Sequence, residues 1–403
     1  MQNQFTEVQT IGYGSRIVSS IKGIFFGLIL FGASFLVLYW NEGRVDLSQI
    51  AKNAVEINAT TPDTVNEGKL VSITGPVRTD EDVSDGLYLK ADKYIAVNRK
   101  AEMYAWVEHK QENSHKNVGG SETVTTTYTY SQGWTNSPKS DFQHPEDHVN
   151  PSMSVNSTST TAQSAKVGVY KLDVASISLP SSTTIALSSD NVKLQNGVKL
   201  DGSYIFQGKG SLSQPQIGDV RISYSGIPSG VTGTVMGKLA GSTVTAFIDP
   251  SGNRIYRIFQ GGSKDEAVHT LNTEYKMWLW IVRAIGFLMM WIGLCAFFGL
   301  ISVLLDVLPI FGSLSRTFIN FAMLMVAVLL TGITIIVSDI IHSPVAIAVA
   351  LVIGVVISGV AFKMLHRKRD TQTIPVQPVR SVAMPQPLTP AAVEKIPTRI
   401  TPA

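Results

Sequence analysis

Charge is scarce in this chain. Only 16% of its 403 residues are Asp, Glu, Lys or Arg, where roughly 25% is usual in soluble globular proteins. The deficit is concentrated: residues 23–41, 284–305, 317–338 and 340–362 hold no charged side chain at all. A helix needs about 20 mostly apolar residues to cross the hydrocarbon of a bilayer. The competing reading, four buried core helices, fits poorly because such helices normally keep a polar edge. The four stretches therefore predict membrane spans at 17–40, 278–305, 317–338 and 343–362.

Cysteine is nearly absent too. The one thiol, Cys295, falls inside the second predicted span, so the long segment 41–277 holds no disulfide. A segment of that size builds a core without covalent staples, and Cys295 reads as a small packing residue, not a nucleophile. Several motifs are missing as well: no Gly-x-Ser-x-Gly, no phosphate-cradling glycine loop with its lysine, no dinucleotide fingerprint. The predicted spans contain no interior Asp, Glu, Lys or Arg that would mark an ion or proton path. These absences make an enzyme or a transporter the minority reading, and no nucleic-acid partner or cofactor is implied.

The first apolar run is longer than a signal-peptide core, and its exit, Tyr39-Trp40-Asn41-Glu42-Gly43, is not a small-residue cleavage site. It reads as an uncleaved anchor. Arg16 and Lys22 precede it, and His366-Arg367-Lys368-Arg369 follow the fourth predicted span. The positive-inside bias then puts both termini, the arm 1–16 and the tail 363–403, in the cytoplasm, with a loop at 306–316. Segment 41–277 and a short loop at 339–342 lie on the far side. The tail has seven prolines in the 33 residues after Asp370, a composition that predicts disorder.

Within 41–277, Leu47, Ile50, Ala51, Ala54 and Val55 recur at helical spacing behind Asp46, which predicts an amphipathic helix with Asp46 and Gln49 as a capping box. Period-two runs rich in β-branched residues follow at 69–75, 123–134, 166–174, 219–226, 242–248 and 254–260, and these predict strands. Val220, Ile222 and Tyr224 alternate with Arg221 and Ser223, so one face of that strand meets a core. Ser263 and Glu266 open a last helix that is expected to run unbroken into the second span, with Trp278 and Trp280 at the bilayer edge. The predicted fold class is thus a multi-pass membrane protein: four transmembrane helices plus a large β-rich, α+β domain inserted between helices 1 and 2.

The one tempting constellation is His144, Glu146, Asp147 and His148, imidazoles and carboxylates of the kind that ligate divalent metals. Pro145 prevents a helical His-x-x-x-His pair, and His109 and His269 would have to be brought in by the fold. A polar loop is the plainer reading, and no residue is assigned as catalytic, cofactor-binding or metal-ligating. The acidic turn 78–86 reads as solvated. Gly23 and Gly27 share a face of the first span, a spacing that admits a close helix neighbour. Asn-Glu-Gly occurs twice, at 41–43 and 66–68, with no longer pattern shared by the flanks.

Taken in order, residues 41–44, 66–79, 99–110, 127–134, 148–155, 217–227 and 304–314 resemble the transmembrane protein 43 (LUMA) family. The resemblance runs from the first predicted span to the fourth. It implies an integral membrane protein with a large lumenal or periplasmic domain. Animal members are expected in the endoplasmic reticulum and inner nuclear membrane, where they form oligomers and organise complexes with emerin and lamins. The Ser/Thr-rich loop 152–164 and the Pro-rich tail depart from the animal pattern and point to a bacterial member with a periplasmic domain. The resemblance carries no catalytic residue. The expected function is a non-enzymatic scaffold whose partners are membrane lipids, further copies of itself and other membrane proteins. A channel or channel-modulating subunit, and then a metal-dependent hydrolase at His144–His148, are the alternatives.

Overall fold

The computed structural model describes residues 3–144, 148–305 and 309–342. In chain order, β1 (Gln4–Ile11) leads into α1 (Tyr13–Glu42), a short α2 (Leu47–Ala51), β2 (Val55–Ile57) and β3 (Leu70–Arg78). A long hairpin follows, β4 (Tyr94–Lys116) and β5 (Glu122–Thr135). Short strands come next: β6 (Thr158–Thr161), β7 (Ser164–Val167), β8 (Tyr170–Asp173), β9 (Thr183–Thr184), β10 (Val198–Asp201) and β11 (Tyr204–Gln207). The chain then makes β12 (Val220–Pro228), β13 (Val231–Ala240), β14 (Thr243–Thr245), β15 (Phe247–Ile248), β16 (Arg254–Ile255) and β17 (Arg257–Gln260). It closes with α3 (Lys264–Leu305) and α4 (Pro309–His342).

Two large sheets carry the β-rich part, and β15 pairs with β16 in a separate two-stranded sheet. The first runs β1-β5-β4-β12-β11-β10, with β6 and β9 added at its side, and the second runs β17-β13-β14-β8-β7-β3-β2. β12 alternates as its sequence demands: Val220, Ile222 and Tyr224 are buried, while Arg221 and Ser223 are not. They pack with Val97, Ala101, Met103 and Ile205 on one face of the first sheet. The second sheet buries Val71, Ile73, Tyr170, Val235 and Leu239 together with Ile95 and Ile227 of the first. Each such side chain removed from water stabilises the fold by roughly 1.5–3 kcal/mol. The opposite face of the second sheet meets α2 and the start of α3 through Ala51, Leu70, Met236, Phe259, Ala267 and Leu271.

α1, α3 and α4 are each long and apolar enough to cross a membrane. Their packing depends on close backbones. A methyl on Gly27 would lie 2.7 Å from the Gly293 carbonyl oxygen, and one on Gly293 2.8 Å from the Phe31 nitrogen. The small residues let two helices approach until only backbone separates them. Gly23 has nothing within 4 Å, so half of the predicted glycine pair makes the crossing. Large apolar side chains such as Phe25, Ile29 and Leu36 stay 66%, 70% and 70% exposed, as suits lipid contact.

Several elements differ from the sequence expectation. The fourth predicted span, 343–362, lies outside the described residues, as does the tail. α4 takes in 309–316 and 339–342, both read from the sequence as loops. The amphipathic helix expected from Leu47 to Ile57 stops at Ala51, and Val55–Ile57 becomes a strand parallel to β3. Pairing with a buried sheet outweighs a helical propensity that is weak in so short a segment. α3, by contrast, does run unbroken for 42 residues, about 63 Å at 1.5 Å per residue. Ser263 Oγ accepts from the Glu266 amide at 3.2 Å at its start.

The largest surprise is the N-terminal arm. Gln4–Ile11 pairs antiparallel with Glu122–Thr129 along its whole length. At the turn into α1, Arg16 donates to the Gly120 carbonyl at 2.5 Å and meets Glu122 at 2.9 Å. A backbone ladder cannot form through hydrocarbon, so β1 and β5 must share one side of any bilayer. Val8 is 66% and Val65 82% exposed, and both become reporters in a Cys295→Ala background. Val8→Cys and Val65→Cys are expected to react with a membrane-impermeant maleimide from the same side. Labelling from opposite sides would mean that β1 leaves the sheet in the membrane.

Candidate functional site

The residues singled out as possible metal ligands are held among aromatic rings. His144 stacks on Phe5 with centroids 4.5 Å apart, and its Nε2 lies 3.3 Å from Glu7. His148 is 1% exposed, stacked on Tyr130 at 4.1 Å and edge-on to Trp106 at 4.6 Å. Tyr130 donates to Glu108 at 2.5 Å and accepts from the His144 amide. His109 sits on β4 beside Ser131 at 3.1 Å, and His269 lies on α3. Glu146 and Asp147 are outside the described residues. Among the described residues no group of three His, Cys, Asp or Glu side chains is placed to hold a metal ion. What the geometry builds here is a polar-aromatic plug at the base of the β4–β5 ribbon.

Asn150 shows how that plug is tied down. Its side-chain oxygen accepts from the Trp106 amide at 2.8 Å, and its nitrogen donates to the Trp106 and Lys139 carbonyls at 3.0 and 2.8 Å. One side chain thus satisfies backbone groups as a neighbouring strand would.

A second polar centre escaped sequence reading because it lies in the turn taken as solvated. The Asp85 side chain is 1% exposed and meets Arg99 at 2.7 Å and the Tyr224 hydroxyl at 2.6 Å. Its other oxygen accepts from the Leu87, Tyr88 and Leu89 amides. Burial pushes the carboxyl up, but hydrogen bonds from Tyr224, Arg99 and the backbone outweigh it and hold Asp85 below its ordinary 3.8. Burial and the facing carboxylate push the Tyr224 hydroxyl up. Nearby, Arg221 pairs with Glu102 at 2.9 Å and lies over the rings of Trp134 and Tyr204 at 4.6 and 5.0 Å. The one available signal was an Asp followed by Gly, an Asx-type turn that folds a carboxylate back on the amides beyond it.

The third arrangement joins domain to helices. Glu42, its side chain 3% exposed, takes Arg283 in two bonds of 2.9 and 2.6 Å. Asn41 donates to the Leu279 carbonyl at 3.1 Å, and Gly43 leaves room for the His342 ring of α4. Above them Asn272 donates to Asp46 and Ser48, and Arg257 of β17 grips Glu274 of α3 with two bonds of 2.6 Å. The other Asn-Glu-Gly does a local job: Glu67 accepts from the Gly241 amide, while Gly68, at φ 78°, donates to the Leu239 carbonyl. Two serine hydroxyls lie near imidazoles, Ser131 at 3.1 Å from His109 and Ser338 at 3.4 Å from His342.

Long apolar helices bolted to a β-rich domain define an integral membrane protein. The family model described as Transmembrane protein 43 matches residues 103–344, more than half of the sequence. The chain belongs to the transmembrane protein 43 family. It is 28% identical to transmembrane protein 43 of Rattus norvegicus over 335 residues, covering 75% of this chain and 80% of the relative. The Homo sapiens protein is 28% identical over 336 residues with the same coverage. The Drosophila melanogaster homolog is 28% identical over 284 residues, 66% of this chain and 74% of its own. No solved structure matches the chain.

Two outcomes test these centres. Glu42→Gln leaves Arg283 without its counter-charge and is expected to cost about 3–5 kcal/mol. The exchange Glu42→Arg with Arg283→Glu should regain most of it in thermal unfolding of the detergent-solubilised protein. Asp85→Asn is expected to cost a similar amount, since Arg99 is then buried unpaired. The folded-state carboxyl is lowered, so its stabilisation is complete above the ordinary 3.8 and is lost as pH falls through the folded value. The melting difference between Asp85→Asn and the natural protein should therefore be steady near neutrality and shrink below about pH 4.

Proposed function

We propose that this protein is a non-enzymatic membrane scaffold, in which the helices oligomerise and the β-rich domain, on the outer face, organises membrane proteins or the lipid around them. The observation that carries the reading is the rigid joint. Where α1 and α3 meet the domain, the chain is held by Glu42–Arg283, Asn41–Leu279, Asn272–Asp46 and Arg257–Glu274. A domain fixed in this way is held at a set height and angle over the membrane, as a docking platform requires. The exposed apolar faces of α1, α3 and α4 offer surface both to lipid and to further copies. The bacterial inner membrane, with the domain in the periplasm, is the setting we favour.

A channel finds less support. Hydroxyls on the helices are spent on helix carbonyls: Ser34 to Phe31 at 2.6 Å, Thr334 to Leu330 at 2.7 Å, and Ser338 across to Tyr39 at 3.2 Å. A hydrolase at His144–His148 is weaker still, since both rings are stacked against aromatics.

Crosslinking in native membranes tests the scaffold. Self-crosslinks together with a recurrent set of membrane proteins are expected at native expression level. A protein that stays monomeric and captures no recurrent neighbour would sink the reading, and a conductance in planar bilayers would replace it.

A further inference from the structure

The joint between domain and helices encloses a cavity of about 140 Å³, walled by Arg44, Leu47, Arg257, Leu271, Tyr275 and Trp278. Its depth in the membrane can be read from its own wall. Trp40, near the end of α1, and Trp278 and Trp280, about a third of the way along α3, are 64%, 50% and 66% exposed. Tryptophans in that position settle at the headgroup level of a bilayer. Trp278 belongs both to this belt and to the cavity, and Arg44 lies four residues beyond Trp40 with its guanidinium 5.8 Å over that ring. The opening is therefore level with lipid phosphates.

Its charge is equally specific. No carboxylate pairs with Arg44 among the described residues. The one acid in the wall, Glu274, has both oxygens committed to Arg257, Oε1 to one terminal nitrogen and Oε2 to the other. That pair is internally neutral and leaves the Arg257 Nε buried without a partner. Arg44 is thus the wall's cation without a carboxylate contact, since Glu42 and Asp46 on either side of it are spent on Arg283 and on Ser48, Gln49 and Asn272. Tyr275 holds the approach by its hydroxyl contact to the Arg44 carbonyl at 3.5 Å.

We infer that this cavity binds the phosphodiester of an anionic glycerophospholipid from the leaflet on the domain's side. Arg44 donates to the phosphate. Leu47, Leu271 and Trp278 cover the glycerol end of the lipid. An arginine is suited to this because its planar donors match phosphate oxygens. The inference rests on the outer domain being held against the bilayer, as in the scaffold reading, and adds the place where it meets lipid.

The test uses the full chain in nanodiscs of equal parts phosphatidylglycerol and phosphatidylcholine, with retained lipid counted by native mass spectrometry after detergent transfer. Preferential retention of phosphatidylglycerol is expected, and Arg44→Gln should weaken it about tenfold, the loss of one charge-assisted contact. Arg44→Lys should restore part of it. Should Arg44→Gln lower the melting temperature, Trp278→Ala on the exposed wall carries the test, again with loss of retained lipid. Equal retention of the two lipids, or unchanged retention in the variants, overturns the site. Displacement of phosphatidylglycerol by inorganic phosphate at matched concentration also overturns it, leaving a general anion site. Lost lipid selectivity with self-crosslinks intact rejects this site alone, whereas lost crosslinks with selectivity intact rejects the scaffold alone.

Discussion

The close crossing of α1 and α3 is the constraint on which the remaining architecture depends. At Gly27 and Gly293 the helices meet backbone to backbone, so their relative height cannot slide by a residue without a collision. That fixed register brings Glu42 opposite Arg283 and Asn41 opposite the Leu279 carbonyl. A buried carboxylate is costly unless fully paired, and here the register provides its partner at the spot where the chain leaves the apolar zone. The helix pair sets where the polar pair forms, and the polar pair then stops the helix ends from splaying. Everything above inherits that geometry, because α3 continues without a break into the face that packs on Met236 and Phe259 of the second sheet.

How much of this was legible depended on the range of the interaction. Helices announced by uninterrupted apolar runs, and strands such as β12 with strict alternation, could be read directly, since their signal is carried by one segment alone. The unbroken helix from Ser263 onward was legible for the same reason. β4 was not predicted, although it is 23 residues long. Its outer half, Glu108 to Lys116, is polar on both faces and becomes a strand through its ladder with β5, a partner the local pattern does not name. β1 is the same case at longer range: Gln4–Ile11 has no core of its own beyond Phe5, which packs with Trp106, Tyr128, Tyr130 and Phe142. The shortened α2 fails in the opposite direction. Its periodicity was real, but Val55 and Ile57 serve the second sheet better as a strand than the helix as a stripe.

The polar centres followed a related rule. His144 and His148 draw notice because imidazoles and carboxylates stand close in sequence, yet the fold puts them against Phe5, Tyr130 and Trp106. Asp85 drew none, because its partners are Arg99 and Tyr224, 14 and 139 residues away. Arg99 and Tyr224, like Glu102, Arg221, Trp134 and Asn150, all fall in segments that carried the family resemblance. In this structure those segments meet in the first sheet, where they stack, pair and cap one another. These shared segments therefore supply many of the contacts that hold the domain together.

The repeated Asn-Glu-Gly makes the same point at the smallest scale. In both copies the glutamate accepts through both carboxylate oxygens, and the glycine admits a neighbour or a backbone angle that a side chain would resist. The local chemistry is shared, but the partners are not. At 41–43 they are Arg283 and His342 of two other helices, whereas at 66–68 they are the backbone of the β13–β14 turn and Leu239. The tripeptide fixes what kind of contact is made, and the fold decides between which elements. The first copy ties three helices immediately before Arg44, which lines the cavity. Its removal would therefore disturb helix packing and the cavity wall together, whereas loss of the second would loosen a single turn of the β-rich domain.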